Sequence, residues 1–128
     1  MIKKMRNRKL GFLVYGFIFI TLVLIMIISF KPIINPSPKN CNVVSGTIEQ
    51  IWGCEDNHDI NIQISEDDKT YYINRGLDSE LRTYDLKCLL GKSVEMYTVK
   101  HWILLDPKSR INHVASLIIG GDTFYTEF

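Results

Sequence analysis

The chain is short of most of what would announce a chemistry. It has three cysteines and no Cys-x-x-Cys pair, so neither thiol-redox catalysis nor a structural zinc site of paired Cys/His ligands is supported. It has no glycine-rich phosphate loop, no zinc-protease motif and no nucleophile at a recognisable spacing from its three histidines. Internal repeats are absent, and three of the four prolines crowd into one stretch. Negative charge is also missing from one part of the chain: none of the 14 acids precedes residue 31.

What fills that acid-free region is a run without any charge, Leu10 to Phe30. As a helix its 21 residues span roughly 31 Å, close to the hydrocarbon thickness of a bilayer. An apolar core helix of that length would need a much larger protein around it. The tail before it (1–9) carries Lys3, Lys4, Arg6, Arg8 and Lys9, against a lone Lys31 on the far side. Basic residues are retained in the cytoplasm, which predicts a single-pass anchor with its N-terminus inside and its C-terminal part outside. The run exceeds the 7–15 residues usual for a signal-peptide core, and Ser29-Phe30-Lys31-Pro32 offers no small-residue cleavage pattern, so an uncleaved anchor is expected. Gly11 and Gly16, five apart, are weak as a helix-dimer motif.

Ten basic and 14 acidic residues follow Phe30, leaving the outer part near −4 while the whole chain is +1. A nucleic-acid partner is therefore not expected, since phosphate binding needs clustered Lys and Arg. Residues 31–41 contain Pro32, Pro36 and Pro38 and read as a semi-rigid spacer of up to about 30 Å, holding the outer domain off the bilayer. The remainder, 42–128, is enough for one core.

Along that domain, strands are predicted at 42–52, 59–65, 70–74, 93–102, 111–119 and 123–128, with Gly46 as a bulge or bend in the first. Ile60, Ile62 and Ile64 alternate with Asn61 and Gln63, the pattern of a half-buried strand. Between the third and fourth strands, Leu77, Leu81, Tyr84 and Cys88 make a helical stripe, with Asp78 as N-cap and Gly91 as terminator. The order β-β-β-α-β-β is that of an OB-fold-like barrel, all-β with one helix, here preceded by one transmembrane helix. A split α+β sandwich is the alternative.

If 42–52 is one strand, Cys41 and Cys54 lie too far apart for a disulfide. The barrel topology favours Cys41–Cys88 and leaves Cys54 in a loop; three unpaired thiols are the other reading. Three clusters could carry function. Cys54-Glu55-Asp56-Asn57-His58-Asp59 is rich in metal-ligand types but reads as a polar surface loop. Tyr72, Asn74 and Arg75, ahead of Gly76, set a guanidinium beside a tight turn, suited to an anionic ligand or a structural ion pair. His101, Trp102, Asp106, Arg110 and His113 gather around the connection between the fourth and fifth strands, which flanks the ligand face of an OB barrel, as does the loop after the first. The second and third clusters are expected to converge.

The blocks Tyr72-Ile73-Asn74-Arg75-Gly76-Leu77 and His101-Trp102 with Leu105-Asp106-Pro107 and Arg110 resemble those of uncharacterised bacterial membrane-anchored proteins with a small OB-like extracytoplasmic domain. The resemblance covers roughly the last 60 residues and implies a bacterial envelope location without an activity. The architecture also resembles the haem chaperone of cytochrome c maturation, but that family's histidine followed four residues later by tyrosine is absent: Leu105 follows His101 and Leu117 follows His113. The expectation is a non-enzymatic binding or protein-interaction module in the inner (plasma) membrane, using no cofactor and no metal, with an envelope protein or small ligand as partner. Its face would bear Tyr72, Arg75, Trp102 and Arg110. A metal or cofactor carrier using His58, His101 or His113, and a small hydrolase, are the alternatives.

Overall fold

The computed structural model describes residues 2–30, 32 and 35–128, with side chains from Gly11 onward. It contains two compact units, one formed by the N-terminal helix together with Ile103–Leu105 and one built on a β-barrel. Helix α1 runs from Ile2 to Ser29 and includes the basic residues that precede the apolar run. Its stretch Gly11–Ser29 is long and apolar enough to cross a membrane. Its large apolar side chains from Phe12 to Ile28 are all exposed. Of the proline-rich spacer, Lys31, Ile33 and Ile34 lie outside the described residues, and Pro38–Asn40 form a single 3-10 turn leading into the barrel.

The barrel strands are β1 (Cys41–Gly53), β2 (Ile60–Ile64), β3 (Thr70–Ile73), β4 (Ser93–Val99), β5 (Ile111–Ile119) and β6 (Asp122–Thr126). Five of them close a ring in the order β1-β2-β3-β5-β4, in which β3 and β5 run parallel and every other pair is antiparallel. β6 adds to β5 beyond the stretch that β3 occupies.

Closure depends on β1 serving two neighbours. Its first half, Cys41 to Thr47, pairs with β4, and its second half, Ile48 to Gly53, pairs with β2. The expected irregularity lies two or three residues later than Gly46: the register shifts between Ile48 and Gln50, making Glu49 the extra residue. Gly46 has a different task. A Cβ there would stand 2.8 Å from Ile64 Cδ1, so its absence lets β1 fold over the end of β2. Alternation then sends Ile60, Ile62, Ile64, Tyr71 and Ile73 inward, against Met96, Val114 and Leu117 from the other side of the ring. Tyr71 reaches a polar partner from within the core, its hydroxyl donating to Asp67 Oδ2 at 2.6 Å. Burial, reinforced by that carboxylate, raises its pKa well above the ordinary 10.

The predicted α-helix between β3 and β4 is not formed. Three 3-10 turns stand there instead, Gly76–Asp78, Glu80–Thr83 and Leu86–Leu89. The Ser79 hydroxyl accepts from Leu81 N and the Asp85 carboxylate accepts from Lys87 N, so the second and third turns are each capped anew and no i to i+4 ladder builds up. Leu81 and Leu89 fill the core from these turns, while Tyr84 and Cys88 of the predicted stripe are exposed. The fourth strand also ends early, at Val99 rather than Trp102.

Candidate functional site

Because Ile60 and Ile62 point inward, Asn61 and Gln63 point out. Because Tyr71 and Ile73 point inward, Tyr72 points out. The register aligns these outward residues across the barrel: Trp52 stands opposite Asn61, Asn61 opposite Tyr72, and Tyr72 opposite His113. One row therefore crosses β1, β2, β3 and β5, with neighbouring strands about 4.8 Å apart. Gln50 and Gln63 form a second outward pair beside it. Trp52 is 41% exposed, and Asn61, Gln63 and Tyr72 are half-buried.

The β5 end of the row is closed by polar packing. The Tyr72 and His113 rings meet edge-on, 5.3 Å apart. His113 Nε2 lies 2.9 Å from Glu127 Oε2, and the Tyr125 hydroxyl donates to Glu127 Oε1 at 2.6 Å. Burial first, then the Glu127 carboxylate, lifts the Tyr125 pKa. Burial likewise raises that of Tyr72, with the Asp59 and Glu127 charges adding to it. Both phenols stay neutral hydrogen-bonding groups. The open part of the row is thus aromatic and amide in character, suited to stacking and hydrogen bonding. His113, 8% exposed and engaged by Glu127, serves as a wall rather than as a base reaching solvent.

The eight predicted site residues divide among three places. Tyr72 and His113 lie together in the row. Asn74 and Arg75 follow β3, where they meet the loop after β1. The backbone N–H of Arg75 donates to Asp59 Oδ1 at 2.8 Å, Arg75 Nε to Asp78 Oδ2 at 2.7 Å, and His58 Nδ1 lies 2.6 Å from Asp78 Oδ1. The hydrogen bond from His58 and then that from Arg75 hold the Asp78 carboxyl below its ordinary 3.8. The Arg75 guanidinium is thus half of a local ion pair with Asp78, while its backbone N–H and His58 tie the two connections, and Asn74 is exposed beside it. His101, Trp102, Asp106 and Arg110 lie at the opposite end of β3, where Thr70 N donates to Arg110 O at 2.8 Å. There Asp106 Oδ2 accepts from Ile111 N at 2.9 Å, and this bond, with a second from Arg110, lowers the Asp106 pKa.

The convergence therefore differs from the expected one. The first cluster meets the second through His58, Asp59, Arg75 and Asp78, and the third stands apart at the other end of a strand. Of the expected face of Tyr72, Arg75, Trp102 and Arg110, the two cations lie at opposite ends of β3 and Tyr72 lies on the strand between them. Trp52, Asn61, Gln63 and Glu127 are the residues the sequence reasoning did not single out. Asn61 and Gln63 were legible as the outward half of an alternating strand, whereas Trp52 and Glu127 depend on pairing register.

The expected Cys41–Cys88 disulfide is not present, and all three thiols are free. Cys41 opens β1, whereas Cys88 belongs to the turn that packs near Ile48, seven residues further along that strand. Burial pushes the Cys41 thiol above its ordinary value, while the Cys88 thiol lies 3.6 Å from Asp85 Oδ2. Among the described residues no three His, Cys, Asp or Glu side chains are placed to share a metal ion. An open groove of about 340 Å³ lies between the second 3-10 turn and β6, walled by Tyr84 and Phe124 with rings 5.0 Å apart, and none of the predicted site residues lines it. Compared with protein-family models and with curated proteins, the chain matches none.

Proposed function

We propose that this protein is a membrane-tethered, non-enzymatic binding module of a bacterial envelope. In this reading α1 crosses the plasma membrane with its basic end in the cytoplasm, and the barrel stands outside. The barrel is of OB type, and it binds another envelope protein or a small uncharged ligand through the outward row Trp52, Asn61 and Tyr72. The observation that carries the reading is the register that lines up Trp52, Asn61, Tyr72 and His113 across β1, β2, β3 and β5. Those strands include the second and third of a five-stranded ring closed by a parallel β3–β5 pair, the face on which OB barrels take ligands.

Support for binding without catalysis comes from the row's chemistry. It offers rings and amides, and its imidazole and carboxylate are turned to each other. Support for the location comes from the charge-free run in α1 and its five flanking cations.

Affinity capture of the full-length chain, compared with a Trp52→Ala/Tyr72→Ala variant, tests the face. The expected outcome is a partner enriched by the parent and lost from the variant; identical partner lists contradict it. Labelling of exposed Cys88 in intact cells by a membrane-impermeant maleimide tests orientation, and labelling only after permeabilisation overturns it.

A further inference from the structure

The connection from β4 to β5, residues 100–110, spends apolar side chains on the surface. Trp102 is 54% exposed and Leu105 70%, and Leu104 and Ile111 are also exposed. Leu104 and Leu105 form a turn between two isolated bridge residues, Ile103 and Asp106. The returning arm is built: Ser109 N donates to Asp106 O at 3.0 Å, Ile111 N to Asp106 Oδ2 at 2.9 Å, and Asn112 Nδ2 to Ser109 O at 3.0 Å. Large apolar side chains gathered at one connection mark a contact surface.

Charge and chain continuity together identify what it meets. The connection holds Lys100, Lys108 and Arg110 against the single acid Asp106, whose carboxylate is already engaged by the backbone of Ile111. It is a cationic patch on an otherwise acidic domain. Lys100 N donates to Asn40 O at 3.0 Å, and Val99 pairs with Cys41. The loop thus leaves the barrel beside the point where the chain from α1 enters it. Ten residues of chain separate Phe30 from Cys41, the first residue of β1. Tryptophan and leucine rimmed by lysine and arginine form the side-chain mixture that partitions into the headgroup region of an anionic bilayer.

We propose that residues 100–110 dock the barrel on the lipid surface, with Trp102, Leu104 and Leu105 entering the interface and Lys100, Lys108 and Arg110 meeting anionic headgroups. This rests on the reading of α1 as a membrane anchor. It replaces the stand-off that the prolines suggest with a barrel resting on the bilayer by one end.

The chain's two tryptophans make the test direct, because Trp52→Phe leaves Trp102 as the sole indole. The full-length Trp52→Phe chain is reconstituted in vesicles of zwitterionic lipid with anionic lipid added, with and without acyl chains brominated close to the headgroup. Docking predicts that bromination removes about half of the Trp102 emission, as for an interfacial indole. It predicts that Leu104→Glu/Leu105→Glu abolishes the quenching, and that omitting anionic lipid reduces it. Equal emission with and without bromine overturns the proposal, as does quenching that survives the Leu104→Glu/Leu105→Glu change. Retention of the chain in vesicles after an alkaline, high-salt wash reads the anchor separately. A retained chain with unquenched Trp102 overturns docking and leaves the anchor standing. A washed-off chain whose Trp102 is quenched at neutral pH overturns the anchor and supports docking.

Discussion

The two ends of β3 are finished in opposite ways. Beyond Ile73, side chains tie segments that are distant in sequence: Arg75 to Asp59 across 16 positions and His58 to Asp78 across 20. Gly76 there sits so close to Ile60 that a Cβ would stand 2.9 Å from it. Before Thr70 the side-chain bonds are local, Ile111 to Asp106 across five positions and Asn112 to Ser109 across three, the long-range bonds there are backbone ones such as Thr70 N to Arg110 O, and the apolar side chains face outward. At the first end side chains hold two connections together, whereas at the second they only shape a loop. The first end therefore answers to folding. The second is free to carry residues chosen for contact.

The largest effect that sharpens this contrast is in the core behind the tied end. Ile60→Ala, at a fully buried site, is expected to cost about 2–5 kcal/mol in urea unfolding. Ile111→Ala, exposed at the other end, is expected to stay within about 0.5 kcal/mol. Equal losses would break the contrast.

Between the two ends lies the closure of the row. Glu127→Ala strips partners from His113, which is 8% exposed, and from the Tyr125 hydroxyl, with an expected loss of about 1–3 kcal/mol by the same measurement. No change in midpoint would show that the C-terminal strand does not brace β5.

Acid titration compares the ends directly, because each holds one carboxylate below its ordinary 3.8, Asp78 through His58 and Arg75 and Asp106 through backbone N–H groups. A depressed carboxyl contributes stability that is complete above 3.8 and lost as pH falls from there through the folded value. Asp78→Asn and Asp106→Asn should each remove part of that acid dependence. Hydrogen exchange separates them: Asp78→Asn is expected to open amides in both 54–59 and 75–79, and Asp106→Asn only those in 107–111. Opening confined to 75–79 in the first variant would contradict the tie between connections. The smallest effect belongs to Leu104→Glu/Leu105→Glu, expected to leave the urea midpoint unchanged because neither side chain packs into the core.

Much of the fold was legible because it follows from local alternation. Ile60, Ile62 and Ile64 announce β2, and the fifth predicted strand, 111–119, coincides with β5. The helix was misread because the spacing of Leu77, Leu81, Tyr84 and Cys88 is a period without a ladder: Ser79 and Asp85 recap the chain within that stretch, and hydrogen bonding to a side chain outcompetes a weak helical stripe. The site was less legible than the fold, since it depends on register. Nothing local says that Trp52 faces Asn61 or that Glu127 reaches His113; both follow from the bulge after Ile48 and from where β6 leaves β5. Arg75 and Arg110 looked like neighbours in composition, yet the length of β3 keeps them apart.

The most direct test of the binding face is site-specific photo-crosslinking in intact cells from position 61, at the middle of the row, with exposed position 87 as the control. The account predicts a discrete adduct from Asn61 that is absent from Lys87 and lost when Trp52 and Tyr72 are both changed to alanine. The same products from both positions, or none from position 61, would contradict it.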